Sequence, residues 1–435
     1  MKYVATELLN VYLDAGQRRK VGRLAVKDRA VLFEYDAAFI ASGLEISPFR
    51  LPLRDGVARG DPAIFDGLFG VLNDSLPDGW GRLLLDRAVE KLGLRRGQLT
   101  PLDRLAHVGC TGMGALSYEP DHSGTTADAD RLDLDQLAAE TAKVLAGEEQ
   151  AVIDTLLKLN GASSGARPKV VAQVSHDKTR IVHGAAPLQT GFSHWMIKFA
   201  SVNDTADIGA IEYAYSLMAK AAGVEMPETH LFGAKKKQRY FGAKRFDRDG
   251  GGRIHMHSLS GLLHADHRTP ALDYNDFLKA THLLTKDARE LDKAFTIACF
   301  NILAHNRDDH AKNASFLMDE RGRWTLAPAY DLTFSDGPGG EQSMMVMGEG
   351  KSPGRAHLKA LAKSHSIKSA EAIIERVSAA ASRWRSFADK AGVNKASADA
   401  IDRVIAADKP AKRTAAKSTK TSTAKKPAAT KRRPT

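Results

Sequence analysis

The stretch from residue 300 to residue 313 reads FNILAHNRDDHAKN and decides how the rest of the chain is interpreted. An apolar segment of helical period ends here in a dense cluster of charged and polar side chains. A helix end that is merely solvated would leave two carboxylates, two histidines and an asparagine without a common role. The stretch therefore predicts a site of chemistry at the end of a helix.

The spacing within this cluster indicates what kind of chemistry the site would carry out. Asp308 and Asn313 stand five residues apart, as do a proton-accepting carboxylate and a Mg²⁺-binding amide in the catalytic loop of protein kinases. Residues 314–318 read as a strand, and residues 319–330 as a turn and a return strand that leads to Asp331. Such a hairpin would bring a second carboxylate to the cluster. Because Mg²⁺ prefers oxygen ligands, Asn313 and Asp331 are its predicted ligands.

A competing interpretation uses the same cluster as a transition-metal site. His305, Asp308, Asp309 and His310 would then be ligands in a metal-dependent hydrolase, since imidazole and carboxylate suit such ions. This alternative gives no role to Asn313 or to the upstream half of the chain.

A loop rich in small residues lies upstream, where residues 159–169 read LNGASSGARPK and lead into an apolar strand. The backbone amides of such a loop can approach phosphates closely. The loop is not a Walker A motif, because Lys169 does not follow a glycine and is itself followed by Val170. By itself the segment is better explained as an ordinary tight turn.

Lys198 and Glu212 form the third predicted part of the site. Lys198 lies in a predicted strand at residues 195–199, and Glu212 lies on the apolar face of a predicted helix at residues 207–222. A buried lone charge is costly, so we predict that the two side chains pair. Kinases use such a pair to orient the α- and β-phosphates. Two unrelated surface charges are the alternative.

Composition limits the class of protein. The chain has 435 residues, 43% of them hydrophobic, which is typical of folded domains with a buried core. Charged residues interrupt the first twenty positions, so no secretory signal is predicted, and no uncharged stretch is long enough for a membrane span. Cys110 and Cys299 lack the spacing of a metal site or a disulfide framework. We expect a reduced, cytoplasmic protein with no membrane partner.

The positive charge is concentrated at the C-terminus. The formal net charge is +11, but residues 409–435 hold ten Lys or Arg and no acidic residue. This tail has no large apolar residue, so it is predicted to be disordered. It could contact DNA phosphates without reading bases, or it could be a solubilising extension without a partner.

The predicted organisation has four parts. A strand-rich N-terminal lobe spans residues 1–118, a linker and helix span 119–150, a kinase-like domain spans 151–405, and the basic tail spans 406–435. Within them, helical patterns are predicted at residues 80–92, 134–145, 207–222, 274–305 and 356–391, and strands at residues 169–175, 195–199 and 239–245.

Taken together, these segments resemble the HipA family, the kinases of type II toxin–antitoxin modules. The likeness covers nearly the whole chain except the tail. The motifs that carry it are LPDGWGR at 76–82, GMGAL at 112–116, GARPK at 165–169, KRFDR at 244–248, NRDDHAKN at 306–313 and PAYD at 328–331. The resemblance implies an α+β, two-lobed, protein-kinase-like fold with an added strand-rich N-terminal lobe and a disordered basic C-terminal tail.

The resemblance also implies roles for individual residues. Asp308 would be the catalytic aspartate, Asn313 and Asp331 the Mg²⁺ ligands, and Glu212 the structural partner of Lys198. Residues implied to contact the nucleotide are Ser164, Gly165, Ala166, Arg167, Pro168, Lys169, Lys198, Ala243, Lys244, Arg245, His310, Lys312, Asn313 and Asp331. A serine that some relatives phosphorylate is replaced here by Ala162, so self-modification is expected at Ser163 or Ser164 instead.

The function implied by the family is transfer of the γ-phosphate of ATP, with Mg²⁺, to a serine or threonine of a protein such as an aminoacyl-tRNA synthetase. A HipB-like helix-turn-helix antitoxin would be the inhibiting partner, and DNA would be reached through the antitoxin or the basic tail. The alternative is an inactive kinase fold that acts as a DNA-associated regulator through its tail.

Overall fold

An antiparallel sheet of five strands forms the N-terminal part of the chain. The computed structural model describes residues 5–28, 30–91, 93, 98–124, 131–148, 153–160, 165–184, 187–233, 238–269 and 271–407. The strands of this first sheet lie in the order β4-β3-β2-β1-β5. They are β1 (Leu8–Leu13), β2 (Arg19–Lys27), β3 (Ala30–Tyr35), β4 (Val57–Arg59) and β5 (Leu116–Glu119). Strand β5 thus ends one residue beyond the predicted lobe boundary.

Four helices connect these strands: α1 (Ala37–Ser42), α2 (Gly70–Asn73), α3 (Gly79–Lys91) and α4 (Pro101–Val108). Helix α4 shows why the sequence begins a helix at this point. Thr100 accepts a hydrogen bond from the backbone N–H of Asp103, whose carboxylate accepts one from the Thr100 backbone. This capping box satisfies N–H groups that the first helical turn leaves without partners.

A second five-stranded sheet follows, with the order β7-β6-β8-β10-β9. Its strands are β6 (Lys169–Ser175), β7 (Ile181–His183), β8 (Phe192–Lys198), β9 (Thr229–Gly233) and β10 (Arg239–Lys244). The associated helices are α5 (Leu134–Ala146), α6 (Ile153–Asn160) and α7 (Ile208–Ala221). Helix α5 ends at Gly147 in the left-handed conformation, as the glycine predicted.

The remainder of the described chain is mainly helical around a small sheet. A separate two-stranded sheet consists of β11 (Arg248–Asp249) and β12 (Gly252–Arg253), and the small sheet consists of β13 (His255–Ser258), β14 (Ser315–Met318) and β15 (Trp324–Leu326). This region is otherwise mainly helical. Its helices are α8 (Leu259–Leu263), α9 (Tyr274–Thr285), α10 (Ala288–Leu303), α11 (Arg355–Ser364), α12 (Ala370–Ala381), α13 (Trp384–Ala391) and α14 (Lys395–Ala407). Strands β14 and β15 form the predicted hairpin.

Two of the predicted helical segments are divided in the structure. Residues 274–305 form two helices, because Lys286 adopts a left-handed conformation that ends α9 and Asp287 caps the start of α10. Residues 356–391 form three helices, α11 to α13. Helix α14 had not been predicted, and it continues to Ala407, past the expected end of the domain at residue 405.

The N-terminal part packs against the helices of the C-terminal region and also against the second sheet. Leu9, Leu24 and Phe33 of the first sheet belong to one continuous hydrophobic core with Phe277 and Phe295 of helices α9 and α10. Trp80 and Leu84 of α3 lie instead in the core beneath the second sheet, with Trp195. The N-terminal domain therefore shares its hydrophobic cores with the rest of the chain.

Two predicted features fall outside the described residues. These are Ser163 and Ser164, and the tail from residue 408 onwards. In the part of the chain that the structure does describe, no helix is long and apolar enough to cross a membrane.

Candidate active site

The loop after α10 is held rigidly by backbone hydrogen bonds. His305 adopts a left-handed conformation, and the Asn306 N–H turns back to donate to the Asn301 carbonyl at 2.9 Å. The Arg307 N–H donates to the Ser335 carbonyl at 3.1 Å, which ties the loop to the segment after the hairpin. The loop therefore presents the next residue, Asp308, in a fixed position.

Asp308 and Asp309 point in opposite directions. The Asp308 side chain is 55% exposed and faces the main cleft. Asp309 is 1% exposed, and its carboxylate accepts hydrogen bonds from the Tyr274 hydroxyl at 2.7 Å, the Gln342 amide at 2.9 Å and the Ser343 N–H at 2.8 Å. Only Asp308 is placed for chemistry on a bound molecule, whereas Asp309 organises the interior of the loop.

Asp309 gives a prediction about stability. Burial raises its pKa to about 6, although the hydrogen bonds from Tyr274, Ser343 and Gln342 oppose the shift. The folded protein thus holds this proton more tightly than the unfolded chain, where the pKa is about 3.9. Its stabilising effect is complete below about pH 4 and is lost as the pH rises through about 6.

We expect the unfolding free energy of the wild type, minus that of Asp309→Asn, to fall by about 2 kcal/mol between pH 4 and pH 7. Urea unfolding of both proteins at several pH values measures this difference in unfolding free energy. A difference that does not change with pH would contradict the assignment of a buried, protonatable Asp309.

The hairpin brings Asp331 back to the loop, as predicted. The Tyr330 hydroxyl donates to the Lys312 carbonyl at 2.6 Å, which fastens the end of the hairpin to the loop. The Asn313 amide nitrogen donates to the Asp308 carbonyl at 2.8 Å, and this bond does not use the amide oxygen. Asp331 has a φ of +54°, a conformation that non-glycine residues rarely adopt and that is often found at functional sites.

Lys198 lies between two carboxylates, those of Glu212 and Asp331. The sequence predicted only the pairing with Glu212. Its ammonium group forms ion pairs with both Glu212 and Asp331. Burial would lower the pKa of Lys198, but these carboxylates raise it above its usual value. Burial would likewise raise the pKa of Asp331, but Lys198 and Lys169 hold it well below its usual range. Both groups are therefore charged at neutral pH.

The small-residue loop contributes two further cations. Lys169 is 2% exposed and lies directly opposite Lys198 in the register of β6 and β8, and burial lowers its pKa. Arg167 forms ion pairs with Asp204 at 3.2 Å and with Glu212 at 3.5 Å. Neither contact had been predicted. Glu212 therefore links the loop cation Arg167 to the strand cation Lys198.

A polar cleft of about 530 Å³ lies in front of these charges. It is lined by Gly165, Ala166, Arg167, Lys169, Lys198, Glu212, Asp308, His310, Lys312 and Asp331, together with Asp78, Arg82 and Arg104 of the N-terminal domain. Partial burial by the cleft walls raises the pKa of Asp308, and His310 opposes this shift. The cleft thus collects most of the predicted site residues in one place.

A smaller cavity of about 120 Å³ adjoins the cleft and is largely apolar. Its walls include Met196, Met226, Phe241, Ala243 and Leu332, and it shares Lys198 and Asp331 with the cleft. Lys244 and Arg245 also line it. The Arg245 guanidinium is bound to the buried Asp247 at 2.7 and 2.9 Å, so its side chain is already engaged in an internal ion pair.

The residues of the hydrolase alternative do not converge. His305 lies beside Asp336 at 3.2 Å, Asp309 is turned inward, and Asp308 faces the cleft. Among the described residues, no group of three or more His, Cys, Asp or Glu side chains is arranged to hold a metal ion. By contrast, Asn313 and Asp331 offer two oxygen ligands beside the cleft, which suits the few protein ligands that Mg²⁺ takes beside phosphates.

Comparisons with known proteins agree with this architecture. A family model described as the HipA-like C-terminal domain matches residues 161–384, and one described as the HipA N-terminal domain matches residues 9–119. A search of curated protein sequences found no significant match.

Among solved structures, the complex of HipA, HipB and operator DNA from the toxin–antitoxin system of Shewanella oneidensis MR-1 matches with a TM-score of 0.65 and 17% identity, covering 92% of this chain and 95% of that chain. The Helicobacter pylori proinflammatory kinase CtkA matches at a TM-score of only 0.31 and 12% identity, covering 49% of this chain and 91% of that chain. The first match confirms the predicted HipA-like fold. With one family model covering half of the chain and a second covering its N-terminal region, the chain belongs to the HipA family.

Proposed function

We propose that this protein is a serine/threonine kinase that transfers the γ-phosphate of ATP to another protein. The observation that carries the proposal is that an apolar cavity and a polar cleft lie side by side. Both are lined by the ion pair of Lys198 with Asp331. The apolar cavity suits a nucleobase, and the cleft with its cations suits phosphates. Asp308 stands in the same cleft, where a substrate hydroxyl would approach.

Each residue then has a distinct task. Asp308 accepts the proton of the attacking hydroxyl, which requires an exposed carboxylate at a fixed position. Lys198 neutralises phosphate oxygens and is itself oriented by Glu212. Asn313 and Asp331 would hold Mg²⁺, which would offset the negative charge of the phosphates. In such a reaction the protein contributes mainly positioning and electrostatics.

The partners are proposed from the family and from the printed subject of the Shewanella complex. We expect inhibition by a HipB-like helix-turn-helix antitoxin, and contact with DNA through that antitoxin or the basic tail. A translation factor such as an aminoacyl-tRNA synthetase is the proposed substrate class.

Nucleotide binding tests the proposal against an inactive, DNA-associated regulator. Isothermal calorimetry of the pure protein should detect ATP binding that becomes tighter when Mg²⁺ is added. ADP should bind more weakly than ATP, because the cations of the cleft would lose a phosphate partner. If neither nucleotide binds, the kinase proposal fails.

Self-modification gives a further prediction. A phosphate on Ser163 or Ser164 would add about −1.5 to −2 charges to the loop that faces the phosphates of ATP, and should therefore silence the enzyme. We expect the active protein to gain such a phosphate after prolonged incubation with ATP and Mg²⁺. Peptide mass spectrometry, with Asp308→Asn as the control, measures it. Unmodified serines would contradict self-inhibition and leave the proposed kinase activity standing.

A further inference from the structure

A turn of the N-terminal domain reaches into the active site and contacts the small-residue loop. The Asp78 carboxylate accepts a hydrogen bond from the Gly165 N–H, and the Trp80 N–H donates to the Gly165 carbonyl at 3.1 Å. Both polar groups of the Gly165 backbone are thus held by one turn. The contact fixes the loop at the point where it enters the cleft.

Gly79 makes this approach possible. Its φ is +44°, and a Cβ at this position would lie 2.6 Å from the Gly165 carbonyl oxygen and 2.7 Å from the Ala166 Cα. These distances are too short for any side chain, and the atoms in the way are backbone atoms that cannot easily move. The two backbones are therefore in direct contact.

The same carboxylate also binds the loop after α10, residues 304–313, which carries Asp308 and is called the catalytic loop below. The second oxygen of Asp78 pairs with the Lys312 ammonium group at 2.7 Å, and His267 approaches it at 3.7 Å. Lys312 immediately precedes Asn313, and its side chain is 7% exposed. Burial would raise the pKa of Asp78, but Lys312 and the Gly165 N–H hold it below its usual value. One anionic side chain therefore links two separate loops of the site.

We infer that Asp78 is a positioning residue that clamps the small-residue loop to the catalytic loop, so that the N-terminal domain sets the geometry of the nucleotide site. This inference rests on the proposed kinase function. Held together by Asp78, the Gly165 backbone and Lys312 are already placed before ATP binds. The ordering cost of binding is thereby reduced.

Docking of the N-terminal domain does not depend on Asp78. The domain shares a continuous hydrophobic core with α9 and α10. Arg248 donates to the Gly114 carbonyl at 2.9 Å, and Arg253 donates to the Gly112 carbonyl at 3.1 Å. These contacts join the domain to the rest of the chain at places other than Asp78. The Asp78 contacts are therefore best explained by the loops that they join.

The test compares Asp78→Asn with Asp14→Asn in the full-length protein. Asp14 also belongs to the N-terminal domain and pairs across the same interface with Arg253 at 3.5 Å, but it contacts neither loop. We expect Asp78→Asn to raise the KM for ATP about tenfold with a smaller change in kcat. Asp14→Asn should keep both constants. A role only in stability would lower the active fraction, and so kcat, without raising KM.

Hydrogen exchange gives a readout that needs no activity. Peptides that begin at Gly165 should exchange faster in Asp78→Asn than in the wild type or Asp14→Asn. Gly79→Ala should show the same change, because its added methyl group must push the loop away. Unchanged exchange in both Asp78→Asn and Gly79→Ala would overturn the clamp. A wild type that binds no ATP would instead refute the proposed kinase, while the exchange data would still decide the clamp.

Discussion

Replacing Asp308 with asparagine is expected to lower the rate of phosphotransfer about 10³-fold while ATP binds almost as well as to the wild type. The amide keeps the shape of the side chain but cannot accept the proton of the substrate hydroxyl. Because the Asp308 side chain is more than half exposed, its replacement should leave stability almost unchanged. Steady-state kinetics, calorimetry and thermal unfolding of the variant measure the three effects.

Asp336 provides the matched control for this experiment. Its side chain is 75% exposed and lies next to His305, away from the cleft residues. Asp336→Asn should therefore retain wild-type turnover. If Asp308→Asn also retains turnover, Asp308 is not the proton acceptor and the site has been assigned wrongly.

Replacing Asp331 with asparagine should, unlike Asp308→Asn, weaken ATP binding as well as phosphotransfer. We expect the affinity for ATP in the presence of Mg²⁺ to fall by about 10- to 100-fold, and phosphotransfer to fall by at least about 10²-fold. The variant removes a carboxylate oxygen ligand and one of the two counter-ions of Lys198. Glu212 remains paired with Lys198, so the lysine keeps its orientation.

Titration with and without EDTA separates the two roles of Asp331. Without Mg²⁺, Asp331→Asn should bind ATP at least as tightly as the wild type, because the metal ligand then has no metal to hold and its negative charge no longer repels the phosphates. With Mg²⁺, only the wild type should bind more tightly. An equal gain from Mg²⁺ in both proteins would contradict Asp331 as a ligand.

The parts of the site that the sequence predicted are those that follow from local rules. The spacing of Asp308 and Asn313 lies within one loop, and the hairpin to Asp331 is a short local turn. The pairing of Lys198 with Glu212 follows from the cost of burying a lone charge, and the structure contains that pair. The catalytic roles of these residues are still predictions.

Other features depend on contacts between distant segments. Asp78 and Lys312 are 234 positions apart, so no periodicity or spacing links them. Only the quoted LPDGWGR motif drew attention to Asp78, and it gave no role. The break at Lys286 was hidden because the apolar pattern continues across it. Asp287, a good capping residue, was the available signal for a new helix.

Transfer of labelled phosphate tests the central proposal most directly. The pure protein is incubated with Mg²⁺, a cell lysate and ATP that carries radioactive phosphorus in its γ-phosphate. We predict label on a serine or threonine of a lysate protein, and no label when Asp308→Asn replaces the wild type. Absence of transfer by a folded wild type that also fails to bind ATP would contradict the assignment of this site as a kinase centre.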